Sequence, residues 1–375
     1  MRPHGCSNPS SITARFLQDA QTTMTRMEPS TTTTPLPCGI ATIAPRPLAE
    51  SVDELLDGAR RLGEHRPEDF RSGALFERVE IDGERLIVKY VHPENDFTMR
   101  VSGDIGCRPR RIWASGLMDA APDVIDHATI GAAPWGRNGW GVALLMRDVS
   151  AQLVPVGDDP LPEEHHLRFL DHCVAMSARL WEWHDDLDLL PHRFRWQWFG
   201  PDQLDGERAL GFPEPVPRIA TDGWQIFASR APAALWSVVD QLRRDASPLS
   251  QALRTTPQTF LHGDWKLGNL GVGDDGRTIL LDWAYPGEGP VCHELTWYLA
   301  LNRARIPVGH SKESTIADFE AALRRRGIAT GGWFERQLGL CLLGAVVQFG
   351  WEKAYGDDDE FGWWCSAATA GIDLL

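Results

Sequence analysis

The chain of 375 residues has no apolar run long enough to cross a bilayer, which takes about 20 consecutive apolar residues. It has no C-x-x-C pair. Its 7 cysteines are scattered without metal-ligand spacing and read as reduced thiols, not as a disulfide framework or a zinc cluster. Positive charge is in short supply, with 37 Lys and Arg against 52 Asp and Glu, a net charge of −15. That balance argues against binding to nucleic acid or to an anionic membrane surface. There is no internal repeat. These absences leave a cytoplasmic globular protein as the expectation; the charge is compatible with a cationic small substrate but does not call for one.

What is present is ample core material: 43% apolar residues, 16 of the side chains being Trp. A chain of this length holds two domains or one two-lobed unit. Residues 1–46 are rich in Ser, Thr and Pro, with Thr31 to Thr34 at the centre. They are expected to form a disordered tail and not a secretory signal, with Met24 and Met27 as alternative starts.

Order is expected from Ser51, a capping box with Glu54 ahead of a helix carrying Leu55, Leu56, Ala59 and Leu62 and closed by Gly63. Leu75 to Ile81 and Arg85 to Val91 alternate as strands about the hairpin turn Asp82-Gly83. Lys89 shares a face with Ile87 and Val91; by itself it reads as a lysine on a solvated sheet face. Residues 95–117 are expected to contain helix interrupted by Gly103, Gly106 and Pro109, and Trp140 to Met146 is a strand. The Pro, Gly and Asp stretch from Pro155 to Pro162 marks a boundary between an N-terminal part at 47–149 and a C-terminal part at 150–375. Beyond it the period turns helical, apart from an irregular aromatic segment over 191–217.

The chemistry is concentrated in Thr259-Phe-Leu-His-Gly-Asp-Trp-Lys-Leu-Gly-Asn-Leu-Gly-Val and, a short turn later, Ile279-Leu-Leu-Asp-Trp. Asp264, Lys266, Asn269 and Asp282 stand at the ends of short apolar segments. One carboxylate to take a hydroxyl proton, and an amide plus a second carboxylate to hold magnesium, is what phosphoryl transfer requires.

The paired motifs His262-Gly-Asp-Trp-Lys-Leu-Gly-Asn269 and Leu280-Leu-Asp-Trp283 resemble the catalytic loop and metal strand of the aminoglycoside phosphotransferase and choline kinase group, within the protein-kinase-like superfamily. The resemblance implies an α+β, two-lobed fold: a small N-terminal antiparallel sheet lobe that binds nucleotide, and a larger, mostly helical C-terminal lobe that carries catalysis and the acceptor. It implies ATP and Mg2+ as cofactors and a small-molecule hydroxyl, aminoglycoside-, choline- or sugar-like, as acceptor. Asp264 would be the base and Lys266 would offset phosphoryl charge, with Asn269 and Asp282 as metal ligands. Lys89 would reach the nucleotide phosphates, Ser72 and Gly73 would cover them, and Met146 would meet adenine. His262 and Glu294 would hold loops.

Three departures stand out. The loop before the first strand, Arg71-Ser-Gly-Ala74, lacks a full G-x-G-x-x-G. Lys266 fills a position where many aminoglycoside-type members carry His. No Glu on a following helix pairs with Lys89: the acids before Ala120 are Glu94, Asp96, Asp104 and Asp119, of which Asp104 is the expected substitute if the pair exists. A missing pair would favour a catalytically weak nucleotide-binding regulator. A protein kinase is disfavoured by the H-G-D form and by the lack of an A-P-E segment after Asp282.

Overall fold

The computed structural model describes residues 44–67, 72–302 and 305–375. Nearly all of the expected tail, and Arg71 of the loop before the first hairpin strand, lie outside the described residues.

The described chain opens on α1 (Val52–Leu55), whose cap is Ser51: its hydroxyl accepts the Glu54 N–H at 3.1 Å. The capping signal is real, but the helix is only 4 residues long and does not reach Gly63. Arg60–Glu64 forms strand β1 instead, antiparallel to β2 (Leu75–Ile81) through a bulge between Arg61 and Gly63. Cross-strand ion pairs, Arg60 with Glu80 and Arg61 with Glu77, favour that pairing over a further helical turn. Strand β3 (Glu84–Val91) follows through a turn with Asp82 at φ 52° and Gly83 at φ 84°, the left-handed pair that a two-residue hairpin requires.

The segment after β3 contains α2 (Phe97–Val101) and α3 (Arg108–Ser115). Pro109 stands in the first turn of α3, where its missing N–H costs nothing, so it begins a helix and does not break one. Short β4 (Ile125–Asp126), β5 (Thr129–Trp135) and β6 (Gly141–Arg147) follow. The sheet runs in the order β1-β2-β3-β6-β5. On β3, Leu86, Val88 and Tyr90 face a cluster with Val79, Ala143 and Leu145. Ile87 and Val91 face the opposite way, into the main core with Leu144 and Met146. Both faces of β3 are therefore covered.

From Glu163 the chain is mainly helical: α4 (Glu163–Arg179), α5 (Pro201–Ala209), α6 (Pro215–Arg230), α7 (Ala233–Arg244) and α8 (Ser247–Leu253). The expected irregular stretch over 191–217 thus contains α5 and the start of α6. Pro201 and Pro215 are the first residues of those helices, a start signal and not a loop signal. Four short strands follow: β7 (Gln258–Leu261), β8 (Leu270–Val272), β9 (Thr278–Leu280) and β10 (Gly287–Pro290). β7 pairs with β10, while β9 lies between β8 and β4. The chain closes with α9 (Cys292–Leu301), α10 (Lys312–Arg325), α11 (Phe334–Lys353) and α12 (Asp358–Ile372). Helix α11 is buried along most of its 20 residues and forms the axis of the helical lobe. The fold is a mixed α+β one, with an N-terminal antiparallel sheet and a helical C-terminal part, as expected.

The acidic run Asp357 to Glu360 begins α12. Asp357 caps it by accepting the Glu360 N–H at 2.8 Å, and Glu360 pairs with Lys312 at 2.5 Å. Only Glu360 of the run is buried; Asp357, Asp358 and Asp359 are exposed at the start of the helix.

Candidate active site

Strand β7 ends at Leu261 and delivers a loop whose polar side chains are buried: His262, Asp264 and Asn269 are all less than a tenth exposed. Gly263 sits at φ 81°, and a Cβ there would stand 2.2 Å from the Tyr285 carbonyl oxygen, so only glycine fits this turn. Its N–H donates to Glu294 Oε1 at 2.8 Å, and the Asp264 N–H donates to His262 Nδ1 at 3.2 Å. Both residues hold the loop, as expected. Burial depresses His262 to about 3 and raises Glu294 to about 7.

The Asp264 carboxylate receives three groups. Trp297 Nε1 donates to Oδ1 at 3.0 Å. Asn269 Nδ2 donates to Oδ2 at 2.7 Å, and Lys266 Nζ lies 3.0 Å from the same oxygen. Burial raises Asp264 to about 6 against the pull of Lys266. With its nitrogen committed to Asp264, the Asn269 amide keeps its oxygen for another partner.

Strands β8 and β9 bring the second motif beside the first. Leu270 is in register with Leu280, and the Leu281 N–H donates to the Asn269 carbonyl at 2.9 Å. Asp282 follows at once, with φ 61°, a left-handed conformation that Asp tolerates better than most residues. Lys89 is 7% exposed, so its sheet face is not solvated; its Nζ meets Asp282 Oδ1 at 2.7 Å. Burial works to raise Asp282, but Lys89 and Lys266 outweigh it and hold the carboxyl below its usual range.

Lys89, Asp96, Thr129, Met146, Asp282 and Trp283 line one cavity of about 20 Å³. That is room for one or two waters. The structure thus brings Lys89, Met146 and Asp282 together, and Asp264, Lys266 and Asn269 beside them. Ser72 and Gly73 are not in the cavity wall. The Ser72 carbonyl accepts the Phe97 N–H at 3.0 Å, and a Cβ on Gly73 would stand 1.8 Å from the Asn95 oxygen.

The acid near Lys89 differs from the one expected. Both Asp104 oxygens accept the Arg108 N–H at 3.0 Å, at the start of α3. Asp104 is a helix-start residue and does not substitute for the missing Glu. Asp96 lines the cavity with Lys89 instead, while its Oδ1 accepts the Thr98 N–H at 2.8 Å. Burial raises Asp96 to about 6, against the attraction of Lys89. Asp96 was legible only as one of four acids, because an aspartate that caps a 5-residue helix gives no periodic signal. Trp297 was hidden too: in sequence it is an apolar position of a helix.

The sequence profile described as "Phosphotransferase enzyme family" matches residues 68–333 of this chain. The chain belongs to that family. It is a phosphotransferase. No curated protein matches it. Among solved structures, a microcompartment-associated aminopropanol kinase is similar, with 14% identity over 84% of this chain and 90% of the other, at a TM-score of 0.47. Choline kinase LicA from Streptococcus pneumoniae matches with 11% identity over 86% and 96% of the two chains, at 0.48. Macrolide 2'-phosphotransferase MphH from Brachybacterium faecium matches with 14% identity over 84% and 97%, at 0.41. No helix among the described residues of this phosphotransferase is long and apolar enough to cross a membrane.

Proposed function

We propose that this phosphotransferase is an ATP- and Mg2+-dependent kinase that phosphorylates a hydroxyl of a small molecule in the cytoplasm. The observation that carries the reading is the convergence of the two motifs: Asn269 donates to Asp264, Leu281 next to Asp282 donates to the Asn269 carbonyl, and Lys89 closes on Asp282 from the sheet. Residues 47–149 would bind nucleotide and 150–375 would hold the catalytic loop and acceptor.

Asp264 is the base. Its carboxylate orients the acceptor hydroxyl and takes the proton as the acceptor oxygen bonds to the γ-phosphorus and the bond from phosphorus to the ADP oxygen breaks. Trp297 and Asn269 hold that carboxylate in place. Lys266 offsets negative charge on the phosphoryl group in transfer. The Asn269 amide oxygen and the Asp282 carboxylate are hard oxygen donors, the set that Mg2+ prefers, and would hold the ion. Bound Mg2+ would neutralise phosphate charge. Lys89 would serve the α- and β-phosphates and the backbone at Met146 would meet adenine. Ser72 and Gly73, which pack on Phe97 and Asn95 outside the cavity wall, would cover the phosphates only after a shift of that turn. On this reading the phosphates would take Lys89 from Asp282, with which it lines a cavity of about 20 Å³.

The alternative, a nucleotide-binding regulator with weak turnover, rested on Lys89 having no acidic partner; Asp282 and Asp96 now stand beside it. Calorimetric ATP titration with and without Mg2+, followed by ADP release over a panel of hydroxylated metabolites, tests the proposal. Mg2+-dependent binding with acceptor-stimulated ADP release supports a kinase. Binding without turnover on any acceptor favours the regulator, and no ATP binding sinks both.

A further inference from the structure

Outside the phosphotransfer cleft, two imidazoles and a carboxylate converge at the junction of α4, α10 and the loop that precedes α10. His166 is on the first turn of α4, His310 stands just ahead of the Ser311 cap, and Asp318 is on α10. One ligand atom from each lies within 4.8 Å of those of the other two.

The hydrogen bonds give each ring a direction. His166 Nδ1 lies 3.0 Å from the Tyr298 hydroxyl, and His310 Nε2 lies 3.3 Å from Glu163 Oε1. An oxygen partner on one ring nitrogen, with the other nitrogen turned toward a cluster, is the pattern that orients metal-bound histidines. Of the remaining nitrogens, that of His310 is poorly served. His310 Nδ1 is buried without a hydrogen-bond partner, and its nearest acid, Asp318 Oδ2, is 3.7 Å away. His166 Nε2 is 3.3 Å from Thr315 Oγ1, whose own proton goes to the Ser311 carbonyl at 2.9 Å, so an ion would take the place of the hydrogen bond that Nε2–H gives to this hydroxyl. Thr315 and Asp318 are three residues apart on α10 and share a face, which aims the Asp318 carboxylate at His166.

We propose that His166 Nε2, His310 Nδ1 and an Asp318 oxygen form a binding site for a divalent transition-metal ion of the zinc class. Two imidazoles and one carboxylate suit such an ion and leave a fourth position for water. Ligand atoms on one tetrahedral ion lie roughly 3.4 Å apart, given bonds of about 2.0–2.1 Å. The site must therefore contract on binding. His310 and Asp318 are 17% and 37% exposed and can swing inward, whereas His166 is fixed by Tyr298. The ion would tie α4 to α10 and the loop at His310. Tyr298 neighbours Trp297 on α9, so the site backs the helix that holds Asp264 without sharing a residue with the cleft. The competing account is a protonated His310 bridging Glu163 and Asp318 with no ion.

The test is a titration of the full, untagged, chelator-treated chain with Zn2+ alone, read by competition with a chromophoric chelator and by thermal shift. Wild type, His310→Ala and the near-isosteric Asp318→Asn are compared. One equivalent should bind with a rise in Tm, both variants should weaken binding at least tenfold, and Co2+ should give a visible spectrum without thiolate charge transfer. Mg-ATP binding by the variants shows that they are folded. Absence of saturable binding to wild type, unchanged binding in both folded variants, or a thiolate band from the cysteines would overturn the proposal in favour of the ion-pair account.

Discussion

Lys89 Nζ lies 2.7 Å from Asp282 Oδ1, an ion pair that joins β3 to the loop after β9. It ties the lysine that the local pattern read as solvated to the second acidic motif. Both residues line the cavity between sheet and loop, so on the proposed reading ATP would have to displace the pair. Lys89→Met is expected to weaken Mg-ATP binding about tenfold or more and to lower kcat by on the order of a hundredfold, since a preorganised charge on the phosphates is lost. Calorimetry and steady-state kinetics measure both.

Asp96 and Asp104 separate by the same logic. Asp96 shares the cavity with Lys89, whereas Asp104 is spent on Arg108 at the start of α3. Asp96→Asn should raise KM for ATP about tenfold, on the order of the 1.4 kcal/mol that a modest charge contact is worth. Asp104→Asn should leave that KM unchanged and lower Tm. Equal effects of the two on KM would mean that Asp96 has no special relation to Lys89.

Much of this was legible in the chain because the motifs are local. His262 to Asn269 and Leu280 to Trp283 are contiguous words whose spacing survives without a fold, and the hairpin at Asp82-Gly83 announces itself through its turn. The misreadings have physical causes. Arg60 to Glu64 became a strand through long-range pairing with β2, which no local propensity reveals. Prolines 109, 201 and 215 begin helices, and a proline reads as a breaker unless its place in the turn is known. Trp297 meets Asp264 across 33 residues, by a contact that exists only once α9 packs behind the loop.

That contact carries a prediction of its own. Trp297→Phe keeps the ring and removes the N–H from Asp264 Oδ1. A hydrogen bond to a charged group contributes about 1.5–3 kcal/mol, so kcat should fall roughly ten- to hundredfold with KM little changed. The acid limb of the pH profile should also move upward, because the carboxylate loses a donor that favours its charged form. A purely structural role for Trp297 would leave that limb in place.

On the proposed reading, Asp264 sets the limb. Burial raises it to about 6, and a base must be deprotonated to accept the hydroxyl proton. The logarithm of kcat/KM should rise with unit slope up to about pH 6 and then level. A profile that levels only above pH 8 would point to another base.

Glu294 gives a stability test at the same loop. Its carboxyl is raised from 4.5 to about 7 in the fold, chiefly by burial. A group with a raised folded value contributes stability that is full below about pH 4.5 and is lost as pH rises through about 7. Glu294→Gln removes that dependence, so its Tm should gain on the wild-type Tm between pH 5 and pH 8. Parallel curves would place no ionisation cost on Glu294.

The central claim is that Asp264 directs phosphate from ATP onto a small-molecule hydroxyl. The most direct measurement follows label from γ-labelled ATP, with Mg2+ and a pool of hydroxylated metabolites, into separated fractions for wild type and Asp264→Ala. Label should pass into a phosphorylated small molecule with wild type and fall at least a hundredfold, on the order of the loss expected for a missing general base, with Asp264→Ala. Label confined to protein or inorganic phosphate, or equal transfer by the two proteins, would contradict the account.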